Sequence, residues 1–192
     1  MKYPSPADIA EMKARGYDST TIAVAEQQST RWAAAQEVSR LIETAFAGVT
    51  LGNGVGLQEA QGLDDHEAAE TCAAYRAKDE KDDWHQIPAE GLKRCNSSLS
   101  FFDAEGMKFH LPAYLLADLR DDYGFGMAFC LTQTGDYERY FRLLSPAQRS
   151  SVRAFLLHIL DEPDYAFERP HIVHALNGYW SDELSTKIDR DA

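Results

Sequence analysis

No stretch of eighteen or more apolar residues occurs in this 192-residue sequence, so no helical membrane span is expected. The opening residues, MKYPSPADIAEMKARGYD, contain no apolar core of the kind a secretory signal needs. Cysteine is scarce. Cys72, Cys95 and Cys130 are too few and too scattered for a disulfide framework, and free thiols in a reducing, cytoplasmic compartment are the expectation. Basic residues are also in short supply, with 19 Lys and Arg against 31 Asp and Glu and a formal net charge of -12. Nucleic acids and anionic membranes are held by clustered bases and the counterions they release. Neither is therefore an expected partner, whereas a basic protein is.

The signatures of common chemistries are missing as well. Residues 52–56 (GNGVG) have neither the GxGxxG spacing nor a Walker lysine and follow a helical pattern, so they read as a turn. There is no GxSxG elbow, HExxH or CxxC. His171 and His174 can share a helix face, but no further ligands accompany them; one packed and one solvated histidine is the simpler reading. Asp64, Asp65, His66 and Glu67 are consecutive, so on a helix they point in different directions. Acids in a first helical turn are favoured by the helix dipole without any catalytic role. Cys130 sits in AFCLT, an apolar setting that raises a thiol's pKa and leaves it inert. No metal, cofactor or catalytic residue is assigned.

What is present describes an ordinary folded protein. Hydrophobic residues make up 44% of the chain and charged residues 26%, enough for one core and one domain over 1–192. Residues 1–18 read as a helical arm and 181–192 as a polar tail. A helix is expected over 6–14, with Gly16 past its end, and a longer one from about 20 to 47, capped by Asp18 or Ser19 and ended by Gly48. Val38, Leu41, Ile42, Ala45 and Phe46 line its inner face, with Trp32 nearly on the same stripe. Residues 64–79 read as a polar helix capped by Asp64 or Asp65, and Pro88 opens a short one. Ser145, Pro146 and Gln148 form the start of a helix over 145–160, and a last helix is expected over about 168–180.

SLSFF (98–102) and MKFHL (107–111) alternate in polarity and are joined by DAEG, which suits a type I turn followed by a left-handed glycine. This reads as a β-hairpin, followed by a helix begun by Pro112; on that account Asp103 and Glu105 are turn residues. FGMAFCLTQT (125–134) reads as a strand or a short buried helix, of which a strand beside the hairpin is preferred; TGDYERYFRLL is amphipathic and could be a further strand. The expected fold is α+β: mostly helical, with a small antiparallel sheet built around the 98–111 hairpin.

The charge is uneven. Residues 61–90 carry nine acids against three bases. Asp64, Asp65, Glu67, Glu70, Asp79, Glu80, Asp82 and Asp83, with Tyr75 and Trp84 as aromatic anchors, are the expected partner-binding surface.

The run SLSFFDAEGMKFHLPAYLLADLR, then LSPAQRSSVRAFLLHIL and a closing ALNGYW, with Ile42-Glu43-Thr44-Ala45-Phe46 upstream, resembles an uncharacterised family of small bacterial domains with an FFDAEGxxFxLPAYL core. The resemblance spans about residues 40–180 and implies no activity and no catalytic residues. By size and charge such proteins resemble the immunity proteins of bacterial toxin systems, an analogy only. The sequence thus points to a non-enzymatic binding protein that neutralises a basic toxin domain. The alternative is a small enzyme or ligand-binding domain with a pocket near His110, Tyr114 and the 121–127 loop.

Overall fold

The computed structural model describes residues 3–181; the polar tail lies almost wholly outside them. The described residues form ten α-helices and short 3-10 turns, with no strand among them. The helices are α1 (Pro6–Ala14), α2 (Ser19–Ala45), α3 (Leu57–Asp64), α4 (Ala69–Lys78), α5 (Ala89–Arg94), α6 (Ala104–Leu119), α7 (Ala128–Thr132), α8 (Tyr137–Phe141), α9 (Pro146–Ile159) and α10 (Arg169–Asn177). The α+β expectation and its antiparallel sheet are therefore wrong: the fold is all-helical.

The centre of the molecule is α6, the segment read as half a hairpin. Of its sixteen residues only Glu105, Lys108 and Asp118 are not buried. A helix buried on every side shows no 3.6-residue stripe. Its near-continuous apolar run is then easily read as strand. Phe102, Met107, Phe109, His110 and Leu111 are all buried, on both parities of the supposed alternation. DAEG is not a turn between strands. Asp103 is the N-cap of α6, and its carboxylate accepts the amide of Gly106 at 2.7 Å. Pro112 sits inside α6 rather than at its start. It removes one backbone donor, a cost that its burial in the core offsets.

Around α6 pack α2, α5, α8 and the 3-10 turn Trp84–Gln86. α9 lies on α2, and α10 closes over α9 and α7. Several expectations hold. α1 runs as expected, and Gly16 beyond it is left-handed (φ 75°). Asp18 caps α2 by accepting the amides of Thr20 and Thr21. Ser145 and Gln148 form a reciprocal capping box on α9. Others do not. Residues 125–134 contain α7 instead of a strand, and TGDYERYFRLL contains α8, capped by Asp136. The helix expected over 64–79 is shorter, α4 over Ala69–Lys78, with Asp64 the last residue of α3. The chain breaks after Asp64, passes through a left-handed His66 (φ 59°), and restarts behind Ala68, not behind Asp64 or Asp65.

The glycine-rich loop has a packing reason. A Cβ on Gly54 would lie 2.5 Å from the Gly106 amide nitrogen, and one on Gly106 would lie 2.5 Å from the Val55 carbonyl oxygen. Backbone meets backbone there, and Asp103 fastens the contact by also accepting the Val55 amide at 3.1 Å.

Candidate functional site

The chain after α6 builds a cleft with an apolar wall and a polar rim. α6 ends in a Schellman motif: the Asp122 amide donates to the Ala117 carbonyl and the Asp121 amide to that of Asp118, with Asp121 left-handed at φ 62°. Gly124 (φ 83°) and Gly126 (φ 73°) then reverse the chain twice more. These reversals present Phe125, 62% exposed, above the buried Tyr123 ring, with centroids 5.4 Å apart. α7 starts directly afterwards and presents Phe129, 67% exposed. Between these two rings lies a cleft of about 430 Å³. Its apolar wall is completed by Leu99, Tyr123 and Cys130; Asn96, Ser100, Thr134 and Tyr140 supply its polar rim. Burial pushes the Cys130 thiol up to about 12, so it stays protonated at neutral pH. The Tyr140 hydroxyl donates to the Ser100 carbonyl at 3.1 Å.

A second, polar cleft of about 240 Å³ shares Phe125 and Gly126 with the first. Asp118, Asp121, Asp164 and Glu168 line it, and no basic residue does. Asp118 is held in place: its Oδ2 accepts the Met127 amide at 2.9 Å and the Tyr165 hydroxyl at 2.5 Å. Burial and the neighbouring Asp118 carboxylate push the Tyr165 phenol well above its ordinary range, so it remains a donor. One Glu168 oxygen is buried without a hydrogen-bond partner among the described residues. An aromatic groove and a carboxylate-lined groove thus meet on one loop. Together they suit an apolar side chain that lies beside a cation.

The acidic 61–90 segment looks different in three dimensions. Trp84 is 2% exposed, with its indole donating to the Phe46 carbonyl at 3.0 Å, so it is a core residue and not an exposed anchor. Asp79 is buried too. It caps α3 from outside, accepting the amides of Gln58 at 2.9 Å and Glu59 at 3.2 Å. Glu80 accepts the amides of Lys81, Asp82 and Asp83, bonds that hold its carboxyl below the usual range. Tyr75 is half-buried against Gly62. Apart from Glu90, which is exposed on α5 and pairs with Lys93, the acids left to solvent form two groups. Asp64, Asp65, Glu67 and Glu70 surround the α3–α4 turn, while Asp82 and Asp83 follow the far end of α4, ten residues or about 15 Å away.

The pocket expected near His110, Tyr114 and the 121–127 loop divides. The loop lines the aromatic cleft, but Tyr114 is fully buried and donates to the Cys95 carbonyl at 3.0 Å. His110 lines a separate cleft. His171 and His174 are both exposed, so neither packs beneath α10. No group of three or more metal-ligating side chains converges among the described residues. No described helix is long and apolar enough to cross a membrane.

Phe125, Phe129, Asp164 and Glu168 were not singled out from sequence. The usable signal was local: an aromatic between two glycines, Gly124 and Gly126, in the loop that follows a largely apolar helix. Comparison with known proteins finds no curated protein and no solved structure that matches. One family model does, over residues 34–184, which is most of the chain. The chain belongs to that family, the family of unknown function DUF6714.

Proposed function

We propose that this protein is a non-enzymatic binding protein that docks a basic protein partner on the paired clefts around Phe125. The observation that carries the reading is their junction. Two exposed phenylalanines border an apolar groove, and a groove of four carboxylates begins at the same residue. Interface hot spots are typically aromatic anchors in pockets, and charge complementarity adds association rate and specificity. A net charge of -12 supports the same partner chemistry at long range. An immunity-type inhibitor of a bacterial toxin domain is the specific form we favour. The solvated acids at the α3–α4 turn act as a secondary, steering surface in this reading.

The test is affinity capture of the tagged protein from its native host at low and at high salt. A basic protein that co-purifies at low salt and is released as salt rises supports the proposal. Recovery of nothing beyond an untagged control contradicts it.

A further inference from the structure

The carboxylate groove beside Phe125 limits which cation it can take. Its acids come from two segments, Asp118 and Asp121 from the end of α6, and Asp164 and Glu168 from the turn before α10. No three of them converge as the ligands of a metal ion would. Asp118 already serves the Met127 amide and the Tyr165 hydroxyl. Asp121 and Asp164 are exposed, so they are the charges an incoming group meets. Phe125 and its two flanking glycines supply an apolar wall beside them. The groove therefore offers dispersed negative charge next to an aromatic ring, with no basic residue in its lining.

Those features discriminate between the two basic side chains of a protein. A lysine ammonium is a compact, strongly hydrated point charge. A guanidinium is planar and weakly hydrated, with five donors spread around its edge and a face that stacks on aromatic rings. Only the guanidinium matches carboxylates that are spread apart beside a phenyl wall. Phe125 also borders the aromatic cleft, where Leu99, Tyr123 and Phe129 can take an apolar side chain. One residue of this protein separates the two occupants, so they can be neighbours in a single partner chain.

We propose that the partner's anchor is an arginine beside a large apolar residue, the guanidinium lying between Asp121 and Asp164 against Phe125 and the apolar side chain filling the aromatic cleft. The inference rests on the docking reading above and names its central contact. The probe is the blocked dipeptide Ac-Phe-Arg-NH2, titrated into 15N-labelled protein alongside its Phe-Lys, Phe-citrulline and Gly-Arg counterparts; citrulline keeps the shape of arginine without the charge. Ac-Phe-Arg-NH2 is expected to shift the amide signals of Phe125 and Gly126. Loss of the charge should weaken binding by about fivefold or more, and lysine by about threefold. Loss of the phenyl ring should weaken it by about tenfold. Asp121→Asn/Asp164→Asn, altered only at exposed positions, should lower the affinity for Ac-Phe-Arg-NH2 by about fivefold and leave that for the citrulline peptide unchanged. No binding of Ac-Phe-Arg-NH2, equal affinity for its lysine, citrulline or Gly-Arg counterpart, or undiminished binding in the double variant would each overturn the proposal. A captured basic partner together with peptides that show no arginine preference would overturn this inference and leave the docking reading standing.

Discussion

The Trp84 indole donates its N–H to the carbonyl of Phe46, at 3.0 Å, and so ties the end of the acidic segment to the end of α2. Both residues are buried in the same core as α6. Replacing Trp84 by Phe keeps most of the apolar volume but leaves a buried carbonyl without its donor. The expected loss is about 1–3 kcal/mol of unfolding free energy, read by urea denaturation. Affinity for a captured partner should not change, because the ring never reaches solvent.

Gly106 and Gly54 hold two backbones closer than any side chain permits. Gly106→Ala should cost about 2 kcal/mol by the same measurement, as overpacking does in a closed contact. Gly135→Ala is the control. Nothing lies within 4 Å of a Cβ at Gly135, and its unfolding free energy should change by less than about 0.5 kcal/mol.

His110 makes stability depend on pH. Its folded pKa is pushed down to about 4, chiefly by burial, from an ordinary value of 6.5. Between those values the unfolded chain binds a proton that the folded one refuses, so stability rises with pH through the window. The contribution is complete above about pH 6.5 and is lost as pH falls towards 4, by about 3 kcal/mol in all. Urea midpoints measured from pH 4 to 7 should show that slope, and His110→Gln should flatten it. An unchanged slope in the variant would assign the titration elsewhere.

What could be read from the sequence follows from where each signal resides. α9 was legible because its signals are local: Ser145, Pro146 and Gln148 cap it, and Val152, Phe155, Leu156 and Ile159 form one stripe. α2 was legible for the same reason. α6 was not. Burial on all sides removes the stripe, and Asp103–Gly106 is at once a good turn and a good N-cap. The charge count over 61–90 was right as arithmetic but blind to use, since Asp79 and Glu80 serve backbone amides and Trp84 fills the core. The carboxylate groove was illegible because Asp118 and Asp121 meet Asp164 and Glu168 only in three dimensions, where the turn before α10 lies against the end of α6 and Tyr165 donates to Asp118.

The paired clefts around Phe125 are the centre of this account, and binding thermodynamics with the captured partner test them most directly. Calorimetric titrations would compare the native protein with Phe125→Ala/Phe129→Ala, with Asp121→Asn/Asp164→Asn/Glu168→Gln, and with Asp64→Asn/Asp65→Asn/Glu67→Gln/Glu70→Gln. The account predicts that the first two variants each weaken binding by about tenfold or more. It also predicts that salt dependence falls only in the carboxylate variants and that the α3–α4 turn variant changes affinity by no more than about threefold. Native affinity in both cleft variants, with binding lost from the α3–α4 turn variant instead, would contradict it.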